Sequence, residues 1–470
     1  MLKNSLYAFT SSIVRFTSNG ILLLLLAREW GPTTFGEFIL PYIIANVLGL
    51  VVDYGFNLHL VKDISKEPEK LNSIFYAALF AKNTITAMLL IAVTLISLVL
   101  NYWNLNAVML GVLLLASVCN SYGVFYNLIF RGLSEFGKET KNIILSETFL
   151  IATITILLYL VKAGPLLMSV GFLLSRIAYL SISAISGLKP LTGAVRQRYN
   201  LTQAMESIKE GLPYSLQTVI GFMYFYIDTL VIQYVIGSSG VGIYQSGIGI
   251  LAIGLKLSDI LAGIYLVELS KNSKNQEKLK YVAKQMLRHL VIVGNSIFII
   301  MIFGGQIIVK TVYGSNSDFD GVLSLMPYFS LSLLLRYLLY TYATVLTVIG
   351  KQFERMMSGL IALLVNLCLN IVFVPLLGIV GASMTTVATN FALCLLYILI
   401  VKIQISDLLL TRRSSIVLVL AIVATVFNLI CQTEMSITSS ALFVILISTI
   451  SFAVGFKRDE IAYIKNIIMR

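Results

Sequence analysis

The chain contains fourteen apolar segments that are each long enough to cross a lipid bilayer. A helix needs about 20 predominantly apolar residues to span the ~30 Å hydrocarbon core. Hydrophobic residues make up 58% of the sequence and charged residues only 12%, which is outside the usual range of soluble domains. The sequence therefore predicts an all-α integral membrane protein. Its predicted spans are 6–27, 36–59, 74–100, 105–130, 142–161, 166–187, 213–235, 242–266, 286–309, 322–349, 356–376, 380–401, 415–431 and 437–456.

The basic residues predict the orientation of these helices. If the N-terminus is cytoplasmic, 26 of the 34 Lys and Arg fall in cytoplasmic segments or at their borders, and only Arg28, Lys162 and Lys310 lie outside. Short loops rich in Lys and Arg resist translocation, so this asymmetry sets the topology. Both termini are then cytoplasmic. The same asymmetry accounts for the net charge of +12, and we expect no nucleic-acid partner.

Five cations remain inside the predicted spans and are candidates for binding an anionic cargo. A cation in hydrocarbon is costly unless it faces a partner or a water-filled cavity. Arg15 is the strongest candidate, because Ser11 and Asn19 share its helical face and form a polar stripe that should face a cavity. The alternative for Arg15 is a structural ion pair with Asp228 or Glu147. The candidate cargo-binding residues are Arg15, Arg336, Lys82, Arg176 and Lys256.

The other four embedded cations have competing structural interpretations. Arg336 and Arg176 have tyrosines nearby, which suit contacts with phosphate or sugar, but Arg176 is equally well explained by a structural ion pair. Lys82 can extend its ammonium group to the cytoplasmic headgroups. Lys256 can pair with Asp259 on the same helix, because the two residues are three positions apart.

Four acidic residues lie inside the predicted spans and away from the first turn of their helices: Asp53, Glu147, Asp228 and Asp259. Asp228, deep in the seventh span, is the stronger candidate for coupling transport to H⁺ or Na⁺, because a buried carboxylate can titrate near neutral pH, and Glu147 is the alternative. Asp53 and Asp259 lie toward the predicted inner ends of their helices, where we expect a symmetric structural or gating role. Five cations against four acids leave about one positive charge in excess if all are ionised.

An internal repeat predicts how the helices are grouped. A shift of 206 positions places Gly31 on Gly237 and Asp53 on Asp259 in one ungapped register. Transporters are commonly built from such repeats, and a six-helix unit gives two lobes related by a pseudo-two-fold axis along the membrane normal. The last two helices have no counterpart and are expected to be peripheral. The predicted domains are an N-lobe at 1–190, a cytoplasmic linker at 191–212, a C-lobe at 213–402, and a C-terminal part at 403–470.

The sequence also argues against several other functions. Residues 132–139 resemble a P-loop, but Glu139 occupies the position where magnesium needs Ser or Thr, and membrane helices flank the segment where a strand should precede it. The four cysteines are isolated within spans and indicate neither a disulfide framework nor a zinc site. The predicted outside loops are short. We therefore expect no enzymatic activity and no cofactor.

Several short motifs resemble those of bacterial polysaccharide exporters. Residues 27–38, AREWGPTTFGEF, are similar to the pattern AR-x-x-GP-x-x-FG-x-[FY], and residues 52–55, VDYG, are similar to the DYG signature of this family. Its members are O-antigen and capsule-unit flippases of the multidrug/oligosaccharidyl-lipid/polysaccharide superfamily. Further similarity extends along the chain at 227–228, 241–244, 313–314 and 350–351.

The resemblance implies transport of an undecaprenyl-diphosphate-linked oligosaccharide from the inner to the outer leaflet of a bacterial inner membrane. A diphosphate needs cations along its path, because an unpaired anion in hydrocarbon is very costly. We expect a monomer whose partners are the lipid-linked anionic oligosaccharide and membrane lipids. The alternatives are a multidrug or metabolite antiporter, another polyprenyl-lipid flippase, or an enzyme such as a glycan polymerase or ligase, which usually needs a sizeable outside loop.

Overall fold

Helices account for all regular structure in the part of the chain that the computed structural model describes, residues 2–99, 105–191, 201–314, 318–407, 409–431 and 443–451. This agrees with the predicted all-α class. Short 3-10 helices lie at Pro68–Lys70 and Asp318–Asp320, and a π-helical turn lies at Ile156–Leu160. The α-helices are α1 (Leu2–Asp53), α2 (Phe56–Lys66), α3 (Leu71–Val99), α4 (Leu105–Gly132), α5 (Phe136–Thr155), α6 (Pro165–Gly187), α7 (Leu201–Val235), α8 (Ser238–Lys271), α9 (Gln276–Tyr313), α10 (Gly321–Val348), α11 (Gln352–Ile405) and α12 (Arg412–Cys431).

Ten helical segments within these ranges are long and apolar enough to cross a membrane. Two helices have about twice the necessary length, because α1 contains 52 residues and α11 contains 54. Each is interrupted by a glycine with positive φ, Gly31 in α1 (φ 73°) and Gly378 in α11 (φ 62°). Each of the two is therefore long enough for two crossings. The total of fourteen spans stays a prediction, since the last predicted span is described only over 443–451.

The interruption of α1 follows from its local sequence. Pro32 lacks an N–H group and disfavours helical geometry at the residue before it, and Gly31 adopts φ 73° and ψ 172°, which a Cβ would make costly. Gly237, its counterpart in the repeat, has φ 94° and ψ −170° just before α8. Phe38 and Tyr244, which the same shift aligns, are both fully buried. These local matches support the duplication, while the two-fold axis stays a prediction.

The chain divides into two compact units, Met1–Tyr226 (unit 1) and Ile227–Arg470 (unit 2). The boundary falls within α7, which continues from Leu201 to Val235, whereas the sequence placed it in the linker at 191–212. Residues 192–200 of that linker lie outside the described ranges. Residues 201–212 of the linker are already part of α7, so this helix does not begin at Pro213. Proline is tolerated inside long membrane helices where neighbouring groups satisfy the freed carbonyl.

An aromatic cluster joins α2, α3 and α4 in unit 1. The chain leaves α1 through Tyr54 and Gly55, which both have positive φ, and enters α2 at Phe56. The rings of Phe56 and Phe75 each pack on Phe125, with centroid distances of 5.9 and 5.1 Å. This packing fixes α2 against the two membrane helices beside the end of α1.

The C-terminal helices pack on α9 in unit 2, and their peripheral position stays a prediction. The ring of Phe443 lies 4.7 Å from that of Phe303 on α9 and 4.5 Å from that of Phe427 on α12. Asn295 on α9 donates a hydrogen bond from Nδ2 to Ser451 Oγ at 2.8 Å. The sequence predicted a peripheral position because these helices have no counterpart in the repeat. Their apolar residues nevertheless bury a face of α9.

An ion pair outside the spans also fixes this region. Lys284 Nζ lies 2.6 Å from Asp407 Oδ2 in the connection between α11 and α12. Burial raises the pKa of Asp407, but its hydrogen bond and ion pair with Lys284 outweigh this and lower the pKa below the usual value. The carboxylate therefore stays ionised at neutral pH and holds the connection close to α9.

Candidate functional site

Unit 1 contains a buried arginine cluster, which consists of Arg15 and Asn19 on α1, Glu147 on α5, and Arg176 and Tyr179 on α6. Arg176 Nη1 lies 3.1 Å from Glu147 Oε1, and its Nη2 donates to Asn19 Oδ1 at 2.7 Å. Asn19 Nδ2 donates in turn to Glu147 Oε2 at 3.2 Å. Glu147 is only 1% exposed. Two cations and one carboxylate leave one positive charge in excess in the middle of the helices.

Arg15 is held differently from Arg176. Its Nη2 donates to the Tyr179 hydroxyl at 2.7 Å, and its guanidinium lies 5.3 Å from the centroid of the same ring. The side chain is half-buried, and its Nε has no hydrogen-bond partner among the described residues. Glu147, one of the two acids considered as its partner, pairs directly with Arg176. Arg15 therefore lies next to the ion pair without taking part in it.

The polar stripe around Arg15 contacts helices of unit 1. Ser11 is buried and exchanges a 2.9 Å hydrogen bond with Thr140 on α5, and Asn19 contacts both α5 and α6. Ser18 is buried and bonds the Val14 carbonyl of its own helix. The stripe thus packs within the bundle, where the sequence predicted a cavity. Among its members with a described exposure, Arg15 and Asn19 are the half-buried ones.

A chain of neutral polar side chains, which the sequence pattern does not predict, extends from Tyr179. The two N–H groups of Asn127 Nδ2 on α4 are shared among three acceptors, the Tyr179 hydroxyl at 3.0 Å, Ser183 Oγ at 2.9 Å and the Gly123 carbonyl at 3.1 Å. Asn142 on α5 donates to Asn127 Oδ1 at 2.8 Å and to Ser186 Oγ at 2.7 Å. Neutral polar residues cost less than charges inside a membrane helix, so they do not stand out in the sequence. Only their contacts with Arg15 and Tyr179 distinguish them from other polar residues in the helices.

Lys82 and Asp53 form a separate structural pair. Lys82 is 0% exposed, and its Nζ donates to the Val52 carbonyl at 3.1 Å and lies 3.5 Å from Asp53 Oδ1. Ser121 bonds both Lys82 and Asp53. The ammonium group therefore does not extend to the headgroups, because these partners satisfy it at the C-terminal end of α1. Cargo binding by Lys82 stays a prediction, and this geometry favours a structural role.

A half-exposed charge cluster lies midway along α8 and α10 in unit 2. Lys256 Nζ lies 3.1 Å from Asp259 Oδ2, as the spacing predicted, and the Asp259 side chain is 42% exposed. Tyr340 donates a hydrogen bond to Asp259 Oδ1, and Arg336 lies four positions before Tyr340 on the same face of α10. Exposed charges at mid-helix are compatible with a membrane only if they face water or a partner.

The predicted symmetry between Asp53 and Asp259 is not reflected in their partners. Asp53 ends α1 and bonds Lys82 on α3, whereas Asp259 lies well inside the continuous helix α8 and pairs with its own neighbour Lys256. Their surroundings diverge because Tyr54 and Gly55 end the helix in the first half, and Ile260 and Leu261 continue it in the second.

Asp228 on α7 is buried without an ion pair among the described residues, and it is only 2% exposed. Its Oδ2 accepts hydrogen bonds from Tyr244 at 2.6 Å and from Thr386 Oγ1 at 2.8 Å. Its Oδ1 accepts one from Asn370 Nδ2 at 2.7 Å, and the Asn370 amide also bonds Asn366 Oδ1 at 2.9 Å. Within the described ranges, Asn370 Oδ1 has no hydrogen-bond partner. The described residues thus surround the Asp228 carboxyl group with neutral oxygen and nitrogen groups.

This arrangement can hold a small cation but not a typical transition metal. The described ranges contain no group of three or more His, Cys, Asp or Glu side chains arranged for metal binding. Carboxylate, amide and hydroxyl oxygens are instead the ligands of hard cations. Asn366, Asn370 and Thr386 were missed by the sequence analysis, since they lie about 140 to 160 positions from Asp228.

The family of the chain follows from its similarity to known proteins. Residues 1–263, more than half of the chain, match the family described as polysaccharide biosynthesis protein. The chain belongs to this polysaccharide biosynthesis protein family. The family resemblance predicted from the short motifs is thereby confirmed. The matched region includes the arginine cluster, Asp228 and Asp259, while Arg336 and Asn370 lie beyond it.

Individual relatives match the sequence of this polysaccharide biosynthesis protein along most of the chain. It is 26% identical over 405 residues to the "Putative O-antigen transporter" of Escherichia coli strain K12, a match that covers 82% of this chain and 94% of the relative. It is 20% identical over 403 residues to the capsular polysaccharide biosynthesis protein CapF of Staphylococcus aureus, covering 84% and 98%. These relatives are named as transport or biosynthesis proteins for surface glycans.

Solved structures identify the fold of this family member. The lipid II flippase MurJ in an inward closed conformation superposes with a TM-score of 0.73 at 17% identity, covering 98% of this chain and 100% of that chain. An inward-facing MATE family multidrug transporter of the MOP superfamily gives a TM-score of 0.66 at 16% identity, covering 85% and 95%. The chain is therefore a multi-pass membrane protein with the fold shared by MurJ and MATE transporters.

Proposed function

We propose that this protein flips undecaprenyl-diphosphate-linked oligosaccharides, the units of O-antigen or a similar surface glycan, from the cytoplasmic to the periplasmic leaflet by alternating access. The observation that carries the proposal is the arginine cluster of unit 1, where positive charge exceeds negative charge midway along the helices. The names of the relatives support a glycan cargo. The MurJ-like fold is compatible with a lipid-linked glycan as the cargo.

Arg15 is the proposed first contact for the diphosphate. One nitrogen of its guanidinium is anchored on Tyr179, and the side chain is only half-buried. A planar guanidinium with remaining N–H groups suits the oxygens of a phosphate better than an ammonium group does. Arg176 is the secondary candidate, because its charge is already balanced by Glu147.

The half-exposed charge cluster of unit 2 is the proposed second contact. Lys256 and Arg336 outnumber Asp259, so this cluster also carries excess positive charge. Its tyrosine, Tyr340, offers an aromatic surface and a hydroxyl group, which suit a sugar. Water solvates these charges between visits of the cargo.

Asp228 is the proposed coupling site for H⁺ or Na⁺. A buried carboxylate without a cationic partner is costly, and an incoming cation removes that cost. The nearby oxygens of Thr386, Asn366 and Asn370 can complete the coordination of a sodium ion. Glu147 is the less favoured coupling site, since Arg176 already neutralises it.

We further propose a monomer in the bacterial inner membrane with both termini in the cytoplasm. The distribution of basic residues supports this orientation. It also places the N-terminal end of α1 on the side where lipid-linked glycan units are assembled.

The proposed function predicts that Arg15→Ala and Arg336→Ala reduce export to below about a tenth, and that Arg→Lys variants are intermediate. Loss of one hydrogen bond to a charged group costs about 1.5–3 kcal/mol, which corresponds to roughly ten- to hundred-fold. The measurement is long-chain surface polysaccharide in the native host lacking the gene, complemented with each variant at equal protein level.

The matched control is Arg412→Ala, which removes an exposed arginine at the start of α12 and should leave export unchanged. Full glycan display by stable Arg15→Ala and Arg336→Ala proteins would contradict the proposed roles of both residues.

A further inference from the structure

The hydroxyl group of Tyr179 receives two hydrogen bonds and donates none within the described structure. Arg15 Nη2 donates to it at 2.7 Å and Asn127 Nδ2 at 3.0 Å. A phenolic hydroxyl has one proton of its own to donate, in addition to its lone pairs. Tyr179 is only 1% exposed, so this proton has been removed from bulk water.

The orientation of the Asn127 amide excludes it as an acceptor for this proton. Asn127 Nδ2 also lies 3.1 Å from the Gly123 carbonyl oxygen, which can only accept a hydrogen bond. Asn127 Oδ1 accepts from Asn142 Nδ2 at 2.8 Å on its other side. The amide nitrogen therefore faces Tyr179, and neither it nor the guanidinium of Arg15 can accept from the hydroxyl.

Arg15, which lies next to this hydroxyl group, also has N–H groups that make no hydrogen bond to a described residue. Its Nε is buried without a partner, and its Nη1 makes no hydrogen bond to a described residue. Buried polar groups in native structures are normally paired, so adjacent unused donors call for an acceptor. Because all of these donors lie beside a positive charge, the acceptor that fits them is an anionic oxygen.

We propose that Arg15 and Tyr179 together form a binding site for one phosphoryl group of the cargo, in which the phenolic proton of Tyr179 donates to a phosphate oxygen. Asn127 is a positioning residue. It donates a hydrogen bond to a lone pair of the Tyr179 hydroxyl oxygen, so the hydroxyl proton turns toward the anion. This inference rests on the proposed function, because it specifies how Arg15 recognises the diphosphate.

The packing of the Tyr179 ring supports a fixed geometry for this site. Gly123 lies so close to the ring that a Cβ there would be 2.5 Å from Tyr179 Cδ1. The ring is therefore held between α4 and α1, and its face lies against the Arg15 guanidinium. A donor that is held in place loses little conformational entropy when the anion binds.

The test measures binding of inorganic pyrophosphate to the purified full-length protein in nanodiscs by calorimetry, together with thermal unfolding in the presence and absence of pyrophosphate. Tyr179→Phe keeps the ring and removes only the hydroxyl. We expect its affinity to fall about ten-fold, and the shift in Tm caused by pyrophosphate to shrink, while the Tm without pyrophosphate changes little. The control, Tyr122→Phe, removes a hydroxyl that is bonded to Asn83 Oδ1 and should bind like the wild type.

The variants separate failure of this inference from failure of the proposed function. Arg15→Ala should abolish pyrophosphate binding and glycan export together. If Arg15→Ala does so but Tyr179→Phe binds within two-fold of the wild type, the role of Tyr179 is overturned and the proposed function stands. If Arg15→Ala retains export, the proposed function of Arg15 fails first. A purely structural role of Tyr179 would lower the Tm without pyrophosphate and leave the ligand-induced shift intact.

A spectroscopic measurement covers the case in which Tyr179→Phe does not fold. 3-Fluorotyrosine placed at position 179 preserves the side chain, and its ¹⁹F resonance reports on the hydroxyl environment. We expect this resonance to shift on addition of pyrophosphate and to stay unchanged in the Arg15→Ala background. The same probe at position 122 should not respond. An unchanged resonance at 179 in an otherwise wild-type protein that binds pyrophosphate would overturn the inference.

Discussion

Glu147 and Asp228 are both almost completely buried, yet their charges are balanced in different ways. Glu147 has an arginine partner, Arg176, at 3.1 Å, whereas the partners of Asp228 among the described residues are neutral donors such as Tyr244. Because Glu147 already pairs with a cationic side chain of the protein, it gains little stability from binding an external cation. A carboxylate without such a partner gains stability from an external one, so the two acids should respond differently to substitution.

Replacing Asp228 with Asn should uncouple or slow transport without preventing insertion. The amide removes the negative charge while keeping the size of the side chain and part of its hydrogen bonding to Tyr244 and Thr386. Export is measured against external pH and external sodium. Asp259→Asn, which changes a half-exposed aspartate in the same unit, is the comparison and should retain the ion dependence. Unchanged ion dependence in Asp228→Asn would remove this residue from the mechanism.

Replacing Glu147 with Gln should instead destabilise the protein, by about 3–5 kcal/mol, because it leaves the buried Arg176 without a counter-charge. Unfolding in detergent measures the effect. Adding Arg176→Met in the same chain should recover much of the loss. Glu135→Gln, which breaks an exposed pair with Lys138, should cost less than about 1 kcal/mol. A Glu147→Gln protein as stable as the wild type would show that the pair contributes no net stability.

The sequence identified charged residues well and their neutral partners poorly. Embedded charges are rare and costly, so Arg15, Arg176 and Asp228 could be singled out from the sequence alone. Asn127 and Asn370 could not, because neutral amides are common in membrane helices and their partners are distant in the chain. The pair between Lys256 and Asp259 was predictable, since it depends only on helical spacing. The pair between Lys82 and Asp53 depends on the contact between two helices, which the sequence does not reveal.

At the scale of the elements, the local sequence determines where the helices are interrupted. Gly31 and Gly237 occupy equivalent positions in the repeat and share a backbone conformation that other residues adopt only with strain. The interruption of α11 at Gly378 also requires positive φ. The continuation of α7 through residues 201–212 was not predictable, because a proline in the sequence marks a helix start as readily as a tolerated interior position.

Gly31→Ala and Gly237→Ala should each destabilise the protein by about 1–3 kcal/mol, because an alanine at φ 73° or 94° is strained even though no atom would contact its Cβ. Unfolding in detergent and the amount of inserted protein measure the effect. Gly20→Ala is the matched control, since its position is helical and equally open. Alanine there should be neutral or slightly stabilising. Equal stability of all three variants would contradict the argument from backbone conformation.

At the scale of the whole molecule, the two halves place polar clusters on corresponding helices but with opposite charge. In the first half, the arginine cluster is built from the first, fifth and sixth membrane helices, α1, α5 and α6. In the second half, Asp228 on α7 bonds Asn370 and Thr386 on the two parts of α11, which are the corresponding helices in chain order. One cluster thus offers donors that suit an anion, and the other offers oxygens that suit a cation. This division is the one expected if the proposed ion-coupled export of an anionic cargo is correct.

The predicted repeat also aligns two buried cations. The same 206-residue shift that aligns Asp53 with Asp259 aligns Lys82 on α3 with Arg288 on α9, and both of these cations are buried. Their helices are the third of each half.

The topology itself is the last prediction: reporter fusions after residues 410 and 465 should both give cytoplasmic signals, and a fusion after residue 315 should give a periplasmic one. Only an N-terminus in the cytoplasm together with fourteen spans places the basic loops on the cytoplasmic side, where resistance of Lys and Arg to translocation retains them. The fusions at 410 and 465 bracket the last two predicted spans and report on them independently of the repeat. A periplasmic signal at either site would break the fourteen-helix arrangement, and a cytoplasmic signal at 315 would reverse the orientation on which the proposed direction of transport depends.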